Sequence, residues 1–158
     1  PDPEPEPQPE PAPAPVQPPV VQSGNFDNDL STGWTLVDGP GKLLVYSQAL
    51  GFNAWDRPAG GFATQTVTVQ AGQAYNLTFS LSEGGWGTAQ HTIVASVLDA
   101  GGQAVATGTY VVGNGQSLDL ALPFVSSSQQ VTLRFENPSS TGTVATDVLL
   151  DNVAIVVP

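Results

Sequence analysis

The chain of 158 residues contains no cysteine and no methionine. A disulfide framework, a zinc ribbon, an iron–sulfur centre and a thiol nucleophile are excluded at once. Basic residues are almost as scarce. Lys42, Arg57 and Arg134 stand against fourteen acids, for a formal charge of −11, and His91 is the single histidine. Nucleic-acid binding needs clustered Lys and Arg to displace counterions from phosphates, and this chain cannot supply them. Anionic lipid surfaces and polyanionic glycans are disfavoured on the same ground. No apolar run approaches the roughly 18 residues of a membrane-crossing helix, so no membrane insertion is expected. The opening residues also lack the basic and apolar regions of a secretory leader. The chain is therefore expected to be a piece of a longer protein, covalently linked to neighbouring domains.

Proline is abundant but unevenly placed. Ten of the fifteen prolines fall between Pro1 and Pro19, alternating with Asp2, Glu4, Glu6, Gln8, Glu10 and then alanine. Such a tract lacks backbone donors, buries nothing and favours polyproline II. Residues 1–22 are read as a Pro/Glu-rich linker, able to span up to ~60 Å at about 3.1 Å per residue. The remainder, 23–158, keeps ten acids and three bases, a net −7. A low charged fraction, 11 % for the whole chain, with abundant Gly, Thr, Ser, Asn and Gln, correlates with secreted bacterial β-proteins. An extracellular location is expected.

From Ser23 onward a period of two dominates and no helical pattern is found. Tyr75, Leu77, Phe79 and Leu81 alternate with Asn76, Thr78, Ser80 and Ser82. Leu118, Leu120, Leu122 and Phe124 form a second such row, and Val131, Leu133 and Phe135 a third. Each pattern is a strand with one buried and one wet face. Further strands are read at 34–37, 43–47, 62–69, 91–99, 103–111 and 148–157, with a first strand opening at Gly24–Asp29. Turn signals separate them, among them Asp38-Gly39-Pro40-Gly41, Ala71-Gly72, Gly113-Asn114-Gly115 and Asn137-Pro138-Ser139. Nine or ten short antiparallel strands at this spacing predict an all-β sandwich or jelly roll.

Catalytic machinery is not legible. A serine triad needs a histidine beside a serine on a sharp turn, yet His91 opens a strand and no G-x-S-x-G occurs. A glycosidase needs two converging carboxylates, and Glu83 and Glu136 are the only glutamates outside the tail. No enzyme is expected. On the last strand, strict alternation puts Asp151 in phase with Leu149, Val153 and Ile155. A carboxylate among apolar side chains must be hydrogen-bonded, paired or bound to a cation. On spacing alone, calcium and backbone N–H groups at a strand edge are both open.

Several motifs together resemble one known group. Ser23-Gly24-Asn25-Phe26-Asp27 followed by Thr32-Gly33-Trp34-Thr35 is similar to the N-G-x-F-E … G-W-x opening of jelly-roll carbohydrate-binding modules of families 4 and 22 and their galactose-binding-like relatives. Phe62–Val69 resembles their Q-x-V-x-V strand, Ala71–Phe79 their G-x-x-Y-x-L-x-F strand, and Leu150-Asp151-Asn152-Val153 their closing D-N-V. The likeness runs through nearly all of 23–158 in the same order. It implies a jelly roll with a buried Trp34. It also implies a structural calcium held by the Asp27 and Asp151 side chains and the Asn25 carbonyl, with a contribution from the loop at 53–56. Asp27 is a departure, since glutamate is usual there and reaches further.

The resemblance implies a non-catalytic carbohydrate-binding module. Sugar rings stack their C–H faces on aromatic planes, while Asn, Asp and Arg read hydroxyls. Trp55, in Gly51–Pro58, and Trp86, flanked by glycines, are the candidate stacking plates. The sequence is equally consistent with both rings filling gaps under loops. Asn53, Asp56, Arg57, Glu83 and His91 are the candidate hydrogen-bonding neighbours; Tyr46 and Tyr110 are weaker candidates. A neutral polysaccharide is the expected partner. The rival reading is a structural or adhesive brick of an extracellular surface assembly.

Overall fold

In the computed structural model of the chain, the residues described are 8–12, 14, 17–54, 60–83, 90–113, 115–138 and 147–158, with the backbone alone for Asn53 and Ala54. Alternating apolar and polar side chains produce ten strands among them: β1 Thr35–Val37, β2 Lys42–Tyr46, β3 Ala49–Ala54, β4 Phe62–Thr68, β5 Ala74–Glu83, β6 His91–Leu98, β7 Ala104–Val112, β8 Ser117–Val125, β9 Gln130–Glu136 and β10 Val148–Val156. They form two five-stranded sheets. The first runs β1-β4-β9-β6-β7 and the second β2-β3-β10-β5-β8. Neighbours are antiparallel throughout. This is the expected β-sandwich.

The inward rows meet between the sheets. Leu77 and Leu81 of β5, Ile93 and Val97 of β6, Leu133 and Phe135 of β9 and Leu150 of β10 are fully buried. Fully burying each such side chain contributes about 1.5–3 kcal/mol. A row of rings crosses this core. Phe26 packs on Trp34 at 5.6 Å, Trp34 on Phe135 at 6.1 Å, Phe135 on Phe79 at 5.1 Å and Phe79 on Tyr110 at 5.3 Å. Trp34 is core, with its Nε1–H donating to the Ser23 carbonyl at 3.3 Å.

Three departures from strict alternation matter for the site. Ala49–Ala54 is a strand, β3, whereas the sequence reads as loop from Gly51. It was hidden by its turn, for β2 and β3 are joined by Ser47-Gln48, both left-handed at φ 53° and 59°. Asn-Gly is the usual signature of such a hairpin turn. Tertiary contact supplies the substitute: the Gln48 N–H donates to Asp29 Oδ1 at 2.8 Å. Gly24–Asp29 is not a strand but a run of turns ending in a short 3₁₀ helix, Asp27–Asp29, with Phe26, Asn28 and Asp29 left-handed.

The third departure is a bulge in β10. Asp151 pairs with Ser80 but Ala154 with Thr78, so three steps on β10 match two on β5. Asn152 sits at the bulge with φ 52°. The extra residue swaps the phase of the strand. Val148 and Leu150 point inward before it, Val153 and Ile155 after it, and all four are buried. The expectation that Asp151 shares a face with Val153 and Ile155 is thereby corrected. Asp151 lies on the outer face with Leu149.

Candidate functional site

The outer face of the second sheet carries hydroxyl and amide groups. β5 contributes Thr78 and Ser80, β8 contributes Asp119 and Ala121, and the β10 bulge contributes Asn152. These line a shallow depression of about 420 Å³. The groups are held by one another. Ser80 Oγ donates to Asp119 Oδ1 at 2.8 Å, and Asn152 Nδ2 approaches Ser80 Oγ at 3.4 Å and Asp151 Oδ2 at 3.3 Å. The Asn152 N–H donates to Asp151 Oδ1 at 2.7 Å, which orients that carboxylate. Without the bulge Asn152 would follow the strict inward phase, so the extra residue turns an amide toward the face. Its donors and acceptors suit the hydroxyls of a neutral polyol.

On the same sheet Tyr46 lies over Gly51, where a Cβ would collide with its ring. Its hydroxyl donates to Asp147 Oδ2 at 2.6 Å. Burial, then this bond and the Asp147 charge, push the phenol well above its usual value. Tyr46 is thus a fixed plate at the β2 side of the sheet.

The two ends of the folded unit meet at β10. The Val153 N–H donates to the Gly24 carbonyl at 2.7 Å, and a Cβ on Gly24 would strike the Val153 carbonyl. This close approach requires glycine. It brings Asp27 within electrostatic reach of Asp151. Burial raises the Asp151 carboxyl above its ordinary value, the Asn152 N–H pulls it back, and the charge of Asp27 raises it further. Asn25 Nδ2 donates to Asp27 Oδ2. Two carboxylates with backbone carbonyls near them are the oxygen donors that a hard cation such as calcium takes. Among the described residues no three His, Cys, Asp or Glu side chains gather in one metal-holding group, so a cation here would draw its remaining ligands from carbonyls and water.

A polar cluster closes one end of the core. Glu83, His91 and Asn137 continue the inward rows of β5, β6 and β9 past their last apolar residues. His91 and Asn137 are fully buried. Glu83 Oε2 accepts the Gly115 N–H at 2.7 Å, while Oε1 is buried with no hydrogen-bond partner among the described residues. Both ends of the Asn137 amide are in the same condition. Burial lowers the His91 imidazole below its usual value, against the raising effect of the Glu83 and Asp147 charges. His91 therefore sits inside the sandwich and away from the open surface.

Of the expected site residues, Asp27 lies within electrostatic reach of Asp151 and is hydrogen-bonded by Asn25. Glu83 and His91 share the polar end. Asn53 falls within β3, and its side chain is outside what is described. Trp55, Asp56, Arg57 and Trp86 lie outside the described residues altogether. Ser80, Asp119, Asn137 and Asn152 were missed. Ser80 and Asp119 look like routine wet-face residues, and Asn137 reads as part of a turn. Only Asn152 carried a sequence signal, in the closing D-N-V.

Residues 42–156, from the first residue of β2 to the last of β10, match the model of a protein family described as "Protein of unknown function (DUF642)". The chain belongs to this family. The matched span leaves out Phe26 and Trp34, although both are core residues of this DUF642 domain. No curated protein matches the chain in sequence. Solved structures match it in fold. A CBM61 in complex with β-1,4-galactotriose aligns with a TM-score of 0.66 at 12 % identity, covering 90 % of this chain and 100 % of that one. The N-terminal cellulose-binding domain of Cellulomonas fimi β-1,4-glucanase C aligns at 0.58 and 15 %, covering 92 % and 97 %. A CBM22 xylan-binding domain aligns at 0.55 and 16 %, covering 85 % and 92 %. The DUF642 domain therefore has the jelly-roll fold of carbohydrate-binding modules.

Proposed function

We propose that this domain is a non-catalytic carbohydrate-binding module that tethers a secreted bacterial protein to a neutral polysaccharide. The observation that carries the reading is the depression at Thr78, Ser80, Asp119, Ala121 and Asn152, where a hydroxyl, a carboxylate and an amide oriented by mutual hydrogen bonds stand beside apolar surface. The fold supports it, since structural neighbours are named for galactotriose, cellulose and xylan. A formal charge of −11 favours neutral over polyanionic chains. The mechanism is proximity: docking raises the effective concentration of whatever is linked to the module. Calcium, held by the Asp27 and Asp151 side chains and the Asn25 carbonyl, would neutralise the two carboxylates where the chain ends meet. Its role is structural.

The test is retention on insoluble β-1,4-galactan, cellulose and xylan, with titration calorimetry on their soluble oligosaccharides. Ser80→Ala and Asp119→Ala together are expected to weaken binding about tenfold, or ~1.4 kcal/mol. Trp55→Ala and Trp86→Ala report separately on the two candidate stacking plates. Absence of binding to any neutral glycan, or binding that none of the four substitutions alters, overturns the reading.

A further inference from the structure

The outermost strands of the two sheets are β1, β7, β2 and β8. A free edge is a template for another strand, and proteins blunt such edges with short length, lysine, proline or charge. Three of the four are blunted. β1 has three residues, and Gln22 occupies the neighbouring stretch of the β4 edge through Gln65. β2 has five and begins with Lys42. β8 carries Asp119 and Pro123. β7 has none of these devices. Its nine residues, AVATGTYVV, include no charge and no proline. No charged residue occurs anywhere from Ala100 to Leu118. The irregularity in its pairing with β6 is confined to the Ala104 end, leaving Ala106–Val112 regular.

The occupant of such an edge must be an extended strand with its own N–H donors. The alternating prolines of this chain's tail cannot provide them. A second copy of β7 can. Antiparallel pairing about a two-fold axis at Gly108 sets Ala106 against Tyr110 and Thr107 against Thr109, all within the regular stretch. Gly108 bears no side chain, because the Tyr110 hydroxyl fills the place of its Cβ, so the two Tyr110 hydroxyls flank the axis. Val111, at the end of this stretch, is 48 % exposed. On a chain of charge −11, this neutral strip is where two copies approach at least electrostatic cost.

We propose that β7 is a homodimerisation edge, joining the first sheets of two copies into one ten-stranded antiparallel sheet. The pairing is independent of glycan binding and would present two modules side by side, raising avidity on a repeating polymer. A single strand pair buries less area than a standard stable interface, so the dimer forms at high local concentration, as on a crowded surface.

Sedimentation velocity of the full chain, without glycan, is expected to show a monomer–dimer equilibrium across a concentration series, and Val111→Lys should remain monomeric throughout. The chain has no cysteine, so a register test is clean. Mixing folded Thr107→Cys with folded Thr109→Cys under mild oxidation should give the mixed disulfide dimer, while each variant alone cross-links far less. Both threonines are exposed, so neither substitution disturbs the core. A chain that stays monomeric and forms no mixed cross-link overturns the proposal. So does dimerisation that Val111→Lys leaves intact, or cross-linking as fast in each variant alone as in the mixture.

Discussion

The side-chain amide of Gln65 holds the backbone of Gln22 at both ends. Oε1 accepts the Gln22 N–H at 2.7 Å, and Nε2 donates to the Gln22 carbonyl at 2.9 Å. An amide offers the same donor–acceptor pair as a peptide group, so Gln65 stands in for a strand rung that β1 is too short to supply. Through it the segment leading out of the Pro/Glu tract is fastened to the first sheet. Gln65 itself is only 4 % exposed on an otherwise apolar inward row. Gln65→Leu is expected to lower stability by about 1–2 kcal/mol in urea unfolding, one or two net hydrogen bonds. Limited proteolysis should then cut near Val21 sooner than in the parent.

Gln48 adopts a left-handed conformation that glycine takes without strain. Its only structural service shown is a backbone N–H bond to Asp29, which glycine preserves. Gln48→Gly is expected to raise stability by about 0.5–1 kcal/mol, read from the urea midpoint at constant slope. Destabilisation would mean that the glutamine side chain holds the turn.

Asp27 and Asp151 repel one another across the meeting of the chain ends. Asp151→Asn is therefore expected to raise the melting temperature in excess chelator, by removing the repulsion. In the parent, added calcium should raise the melting temperature; in Asp151→Asn that rise should vanish. An identical parent melt with calcium and with chelator would remove the metal from the reading.

Burial lowers the folded-state value of His91. As pH falls through about 6.5, the unfolded state takes up the proton first, so folding loses stability there. The loss continues until the folded pKa is passed, at a limiting slope of about 1.4 kcal/mol per pH unit. Urea unfolding at pH 7 and pH 5 should show a drop that His91→Leu diminishes. Equal slopes in the two proteins would show that His91 is protonated alike in both states.

Much of the framework was legible because alternation is local. The rows Tyr75–Leu81, Leu118–Phe124 and Val131–Phe135 each name their buried face, while the buried Trp34 follows from the resemblance of its Gly-Trp motif. The site was less legible, for reasons that lie in two particular positions. β3 was missed because Ser47-Gln48 turns without glycine or asparagine, held by an aspartate nineteen residues earlier. Asp151 was put on the wrong face because a bulge of one residue reverses every side chain beyond it. The polar end is a similar case, since Asn137 ends an inward row that the strand pattern alone does not extend past Phe135.

The amino-acid order by itself determined the class of fold, the two-sided strands, the absence of thiol chemistry, and the presence of acids in the opening and closing motifs. The tertiary structure decided that Asp27 comes within electrostatic reach of Asp151, that Asn152 joins Ser80 on the outer face, and that, among the described residues, β7 is an outermost strand of its sheet. The division has a physical cause. Side-chain periodicity is a property of neighbouring residues, whereas a left-handed residue, a bulge or a free edge exists only in relation to strands far away in the chain.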